Sequence, residues 1–254
     1  MVHWFRLILK SRDHLSTPGR PQTAATRSYL LTSRNTMKFD TLKLVYLHPS
    51  RTGGTQIENI ICRNLGIQKG PADRPDTELM FGRHSPQYGN LQHLTLAEMS
   101  NLSAADLSTY SILCSIRNPV SKFVSAYFYN GCDQKFIRPG EFLARLSVQP
   151  VQHFLPQTHY THQNCTAIFS YLIRQEHYRQ DLQKLCETFD FQWTVHEKFN
   201  TSGNPAYNAY KNRNEIDLFH SFFTRDERQL FYRLYRKDFH LLYPDYVDIV
   251  ENML

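Results

Sequence analysis

The chain has little cysteine, no C-x-x-C pair and no metal-ligand spacing, so neither a structural zinc site nor a thioredoxin-like dithiol can be read from it. Its five cysteines, Cys62, Cys114, Cys132, Cys165 and Cys186, form no recognisable disulfide framework, and the odd total points to a reducing compartment. In a secretory setting Cys132 and Cys165 would be the pair to test. Long arginine and lysine blocks, zinc-finger spacing and an RNA-recognition signature are all absent. The formal charge of +6 therefore reads as a surface suited to small anions or an acidic glycan, with no nucleic-acid partner. No apolar run is long enough for a transmembrane helix; Trp4 to Leu9 is far too short. The nucleoside-triphosphatase loop G-x-x-x-x-G-K-[ST] is missing as well.

What the chain does contain is two strand-to-helix turns about 65 residues apart. The first, His48-Pro-Ser-Arg-Thr-Gly-Gly-Thr55, follows the apolar run Leu42 to Leu47 and precedes Ile57, Ile60, Ile61 and Leu65 at helical spacing. Small residues at such a turn let backbone N–H groups converge on an anion. The following helix adds its positive end, and Arg51 adds a guanidinium fork. The second, Ile116-Arg-Asn-Pro-Val-Ser-Lys-Phe-Val-Ser-Ala-Tyr127, follows a predicted strand over Tyr110 to Ile116. It has proline where a first helical turn tolerates it.

The first turn resembles the 5'-phosphosulfate loop of the sulfotransferases, H-x-P-K-T-G-G-T, in the carbohydrate (heparan sulfate and chondroitin-type) branch. Arg51 stands at the lysine position, and Pro49 comes one residue early. The second resembles that family's 3'-phosphate motif, R-[DN]-P-x-x-R-x-x-S-x-Y. Arg117, Asn118, Pro119, Ser125 and Tyr127 match, and Lys122 replaces the second arginine. The resemblance implies an α/β, P-loop-like three-layer fold with a central parallel sheet flanked by helices. It also implies the donor 3'-phosphoadenosine 5'-phosphosulfate, leaving as the 3',5'-bisphosphate, and a hydroxyl acceptor on a saccharide. By it, Arg51, Thr52, Gly53, Gly54 and Thr55 cradle the phosphosulfate, while Arg117 and Ser125 hold the 3'-phosphate. No metal is required.

Sulfuryl transfer needs a base for the acceptor hydroxyl and cations for the leaving group. Gly82-Arg-His-Ser-Pro86, between the motifs, makes His84 the candidate base, with Glu78 and His93 as competitors, His93 near a helix start where it could face solvent. Arg51 is the candidate for stabilising the leaving group, and His48 resembles part of the loop scaffold. An ATP-dependent phosphotransferase would share the first loop but leaves the second motif without a purpose, while a non-catalytic nucleotide module would keep both.

Residues 1–37 carry Arg6, Lys10, Arg12, Arg20, Arg27 and Arg34 against Asp13 alone. They read as a basic flexible segment, a transit peptide or sequence ahead of a start at Met37, with the sulfotransferase domain over 38–254. The expected location is cytoplasmic or otherwise soluble, or the Golgi lumen if an anchor is missing. Asn101, Asn164 and Asn200 open glycosylation sequons. Helical spacing predicts helices over Gly140–Leu146, Asn164–Tyr178, Gln180–Phe189 and Thr224–Leu242, and Gln192–His196 reads as a strand. Gln157-Thr-His-Tyr160 resembles a region near the acceptor, and Tyr207 to Arg213 reads as a basic loop over the site. Leu234 to Pro244 resembles the family's closing helix, its aromatics in the core.

Overall fold

Four consecutive fully buried residues, Leu44–Leu47, set the architecture, because an all-apolar strand is stable only when covered on both faces. The computed structural model describes residues 37–67, 84–85, 87–103, 106–193 and 204–254. Glu78, the sequon at Asn200, residues 1–36 and the end of the strand expected over Gln192–His196 lie outside them. Gln192 and Trp193 are described and are not in a strand.

Strands β1 (Lys38–Phe39) and β2 (Leu44–Leu47) lead into helix α1 (Gly54–Asn64), and β3 (His84–Ser85) pairs with β4 (Gly89–Asn90) ahead of α2 (Leu96–Ser103). Then come β5 (Ser111–Ile116), α3 (Pro119–Tyr129), α4 (Pro139–Val148) and the one-turn α5 (Thr158–Thr161). The pair β6 (His162–Gln163) and β7 (Thr166–Ala167) precedes β8 (Tyr171–Arg174) and α6 (Tyr178–Phe189). Helices α7 (Pro205–Asn208), α8 (Glu215–Phe222), α9 (Arg225–Leu242) and α10 (Val247–Glu251) follow.

The central sheet has the order β1-β2-β5-β8, with β1 antiparallel and the other three parallel. Leu47 pairs with Cys114 and Ile116 with Arg174, so the carboxyl ends of three strands open on one edge. That edge is where ligands bind in open sheets of this kind.

Helices flank the sheet through the residues that their periodicity marks. Ile57, Ile60 and Ile61 of α1 are fully buried, and α3 is buried along nearly its whole length. The closing helix α9 begins with a capping box, Thr224 with Glu227, and sends Phe231, Tyr235 and Phe239 into the core. Phe123 of α3 meets Phe231 edge-on at 5.5 Å and Phe154 at 5.3 Å.

The helix expected over Asn164–Tyr178 does not form. Asn164 and Cys165 both take positive φ (49° and 64°), the two-residue turn that matches the twist of a tight hairpin. The run Tyr171-Leu-Ile-Arg174 then pairs along β5. A short apolar run fits either period, and here the open sheet edge decides. The suggested Cys132–Cys165 pair is also corrected: the two thiols are not joined, Cys132 being buried and Cys165 exposed on the turn. Cys114 lies in the core, where burial pushes its thiol far up.

Candidate active site

The loop after β2 is held from below by hydroxyls. Thr52 Oγ1 donates to the Pro49 carbonyl at 2.7 Å and so accepts from Ser115 Oγ at 2.7 Å. Ser115 in turn accepts from the Tyr46 phenol at 2.7 Å. All three side chains are buried. Both glycines sit where a side chain is hindered. Gly53 has φ +82°, which strains any residue with a Cβ, and a Cβ there would lie 2.2 Å from the Gln175 side-chain Oε1. A Cβ on Gly54 would lie 2.2 Å from the His48 ring and 2.4 Å from the Tyr46 hydroxyl. Arg51 also adopts the left-handed region, φ 67°, an uncommon conformation for arginine of the kind that concentrates at functional loops.

The turn after β5 is held from the side. Gln157 clamps Arg117 at both backbone groups, accepting from its N–H and donating to its carbonyl, each at 2.7 Å. Gln157 is itself anchored by Asp238 of α9, a fully buried carboxylate that accepts from the Gln157 and Thr158 N–H groups and from the Thr158 hydroxyl. Asn118 caps α3, accepting from the Val120 N–H, and its own N–H donates to Glu176 at 2.6 Å.

Both turns face one cleft of about 510 Å³ at the strand ends. Arg51 Nε donates to Ser125 Oγ at 3.2 Å, and its guanidinium sits 4.2 Å over the Tyr129 ring. Burial lowers the Arg51 pKa, partly opposed by Tyr129. Arg117 donates to the Tyr207 hydroxyl at 3.1 Å. Burial pushes the Tyr207 phenol up, but the charge and hydrogen bond of Arg117, with Ser125 and Arg51, leave it below its usual value. Lys211 and Asn212 line the same side, and Gln175 and Tyr178 close the end beyond β8.

Three histidines also line the cleft. His48 and His93 meet edge-on at 4.7 Å, and His93 and His153 at 5.4 Å. His48 Nδ1 lies 2.7 Å from Glu58 Oε1, and Glu58 is fully buried in α1. His93 Nδ1 lies 2.8 Å from the His48 carbonyl, which can only accept, so Nδ1 carries the proton and Nε2 the lone pair. Burial, then the like charges of His48 and His153, hold the His93 pKa well below the ordinary histidine value. Burial and the Arg51 charge push His153 down to about 4.

A family model described as "Sulfotransferase family" matches residues 34–244. The chain belongs to the sulfotransferase family. No curated protein and no solved structure gives a significant match. Membership makes sulfuryl transfer the reaction class of this transferase.

Of the residues singled out in this sulfotransferase's sequence, Arg51, Gly53, Gly54, Thr55, Arg117 and Ser125 come together around the cleft. Thr52 does not line it: its hydroxyl is spent inside the loop. His84 contributes a backbone pairing with Asn90, which lines the cleft. His93, read as free to face solvent, is buried instead. Lys122 is buried, pushed down to about 8 by desolvation, and donates to the His153 and Leu155 carbonyls behind the site. Gln157 to Tyr160 do not line the cleft; Gln157 braces Arg117. Tyr207 and Lys211 do line it.

Sequence reasoning missed Ser50, His153, Gln175, Tyr178, Glu58 and Asp238. The last two left a signal, a carboxylate on the buried face of an amphipathic helix: Glu58 between Ile57 and Ile61, Asp238 between Tyr235 and Leu242. Ser50 lies within the first turn itself, while His153, Gln175 and Tyr178, the last opening α6, sit on segments that only the fold brings to the cleft. Among the described residues no helix is long and apolar enough to cross a membrane, and no group of His, Cys, Asp and Glu is placed to hold a metal.

Proposed function

We propose that residues 38–254 form a P-loop-like catalytic domain that moves a sulfuryl group from 3'-phosphoadenosine 5'-phosphosulfate to a saccharide hydroxyl. The carrying observation is that two anion grips of different construction face one cleft, with Arg51 hydrogen-bonded to Ser125 between them. The cradle fits a phosphosulfate. Gly53 and Gly54 leave backbone open where a side chain would fill it, α1 opens at the loop, and Arg51, Arg117 and Lys211 supply positive charge. The donor, when bound, brings the sulfuryl group and a phosphate as its leaving group.

In this reading the backbone of Thr52 to Thr55 and the Arg51 fork grip the 5' end, and Arg51 stabilises the charge that develops there. Arg117 and Ser125 hold the 3'-phosphate. Two histidines compete for the base. His84 has the position between the motifs. What favours His93 is its lone pair at Nε2, its neutral state and its place in the cleft lining.

The test is calorimetric titration with adenosine 3',5'-bisphosphate beside ATP and adenosine 5'-monophosphate, followed by turnover of His93→Ala and His84→Ala. Tight binding of the bisphosphate alone supports the reading. Preference for ATP sinks it in favour of a phosphotransferase, and bisphosphate binding without turnover leaves a non-catalytic module. Loss of a true base lowers kcat by about 10²–10⁴ while bisphosphate binding persists.

A further inference from the structure

Glu58 is a fully buried carboxylate in the second turn of α1 that no step of the proposed reaction uses. An ionised carboxylate out of water is costly unless its oxygens are well bonded, and a helix face otherwise made of isoleucine offers no local reason for one. Its hydrogen bonds lead to the residues on either side of the catalytic question. Oε1 receives His48 Nδ1 at 2.7 Å, and both oxygens receive the Gln92 amide at 2.8 Å. His48 belongs to the phosphosulfate loop, and Gln92 immediately precedes His93. Beyond the carboxylate, the His48 carbonyl holds His93 Nδ1 at 2.8 Å, and the His48 ring packs against Gly54 and stacks on Tyr46 at 5.5 Å.

We infer that Glu58 is a positioning residue: through His48 and Gln92 it locks His93 into one tautomer, with Nε2 unprotonated toward the cleft, and ties that histidine to the loop that grips the donor. The inference rests on His93 acting as the base. Its physical content is a closed path from Glu58 to His48, to the His48 carbonyl, to His93, and back through Gln92. A carboxylate accepts from both His48 and Gln92 at once, whereas a primary amide keeps one acceptor and turns a donor toward the other partner. Glu58→Gln preserves shape and removes this double acceptance. The new N–H2 group then meets the Gln92 amide donor where Oε2 had accepted it, so the Gln92 side chain must turn over, and the segment carrying His93 loses its register with the loop.

The test uses the full chain labelled with nitrogen-15 in its histidine rings, with the His93 resonances assigned by their loss in His93→Ala. Ligand-free wild type is expected to show His93 as a single Nδ1–H tautomer, and Glu58→Gln a mixture. In turnover, Glu58→Gln is expected to lower kcat by about tenfold or more, with bisphosphate affinity kept within about threefold. An unchanged tautomer overturns the inference. So does a variant in which kcat, bisphosphate affinity and melting temperature fall together, because that is the mark of structural support alone. If Glu58→Gln does not fold, Gln92→Ala, at a half-buried side chain, carries the test, and an unmixed His93 tautomer there overturns it. A tautomer that follows Glu58 in a protein that binds no bisphosphate supports the pairing while sinking the donor reading.

Discussion

The two turns proposed as anion grips are built by opposite means. The loop after β2 works by what it omits. Side chains are missing at Gly53 and Gly54, the hydroxyls of Tyr46, Ser115 and Thr52 are consumed internally, and Arg51 is the charged side chain that it offers. The turn after β5 works by what reaches it from far along the chain: Gln157, then Asp238 from the closing helix, with Glu176 beside it and the Tyr207 hydroxyl accepting from Arg117. A grip made of backbone is specified locally. One made of braced side chains depends on the whole fold being in place.

Gly54→Ala strikes the first grip hardest. Its Cβ has nowhere to go, at 2.2 Å from a His48 ring fixed to Glu58 and 2.4 Å from a Tyr46 hydroxyl fixed to Ser115. The loop must therefore shift by the order of an ångström. A misplacement of that size costs on the order of a hundredfold in a precisely oriented site. Calorimetry should find adenosine 3',5'-bisphosphate and adenosine 5'-monophosphate weakened together, because both need the 5' cradle. A loss confined to the bisphosphate would break the division of labour between the two grips.

Asp238→Ala strikes the second grip from a distance. Four donors, the N–H and side-chain amide of Gln157 and the N–H and hydroxyl of Thr158, lose their buried acceptor, at a cost of about 3 kcal/mol in stability measured by denaturant unfolding. With Gln157 loosened, Arg117 loses its clamp. The bisphosphate should weaken by about tenfold, on the scale of one charged hydrogen bond, and the monophosphate should hardly change. Equal weakening of both nucleotides would mean that the closing helix supports the sheet edge generally.

This contrast also explains what could be read in the sequence. His48 to Thr55 is a contiguous turn whose chemistry lies in its own residues, so the convergence of Arg51, Gly53, Gly54 and Thr55 on one cleft was legible, while the inward turn of the Thr52 hydroxyl was not. Strand and helix periodicity put Arg117 at the strand end and Ser125 two turns into the helix, so their meeting at the cleft was legible. Gln157 and Asp238 are 81 positions apart and were not. Their pairing exists because α9 lies across the segment that follows α4, which no local pattern states. The histidine wall is non-local in the same way: His48, His93 and His153 come from three separate loops. The hairpin at Asn164 failed for a different reason, since the backbone twist of a two-residue turn overrode an apolar period compatible with either structure.

Tyr207→Phe makes the smallest change and asks the finest question. The phenol accepts from Arg117 at 3.1 Å and is close enough to Ser125 for that hydroxyl to help lower its pKa, so it adjoins both residues assigned to the 3'-phosphate. Removing the oxygen leaves the ring, which is buried and packs 5.9 Å from Phe128, so the fold around α7 has no reason to move. What is lost is one hydrogen bond to a charged donor that the ligand itself can partly replace. Such a bond is worth about 1 kcal/mol, or about a fivefold weakening of the bisphosphate, with the monophosphate unaffected. Tighter binding in this variant would mean that Tyr207 competes with the 3'-phosphate for Arg117, and the second grip would then be partly self-occupied. No change at all would place the 3'-phosphate away from Arg117, and the two grips would have to be redrawn around Arg51 and Lys211.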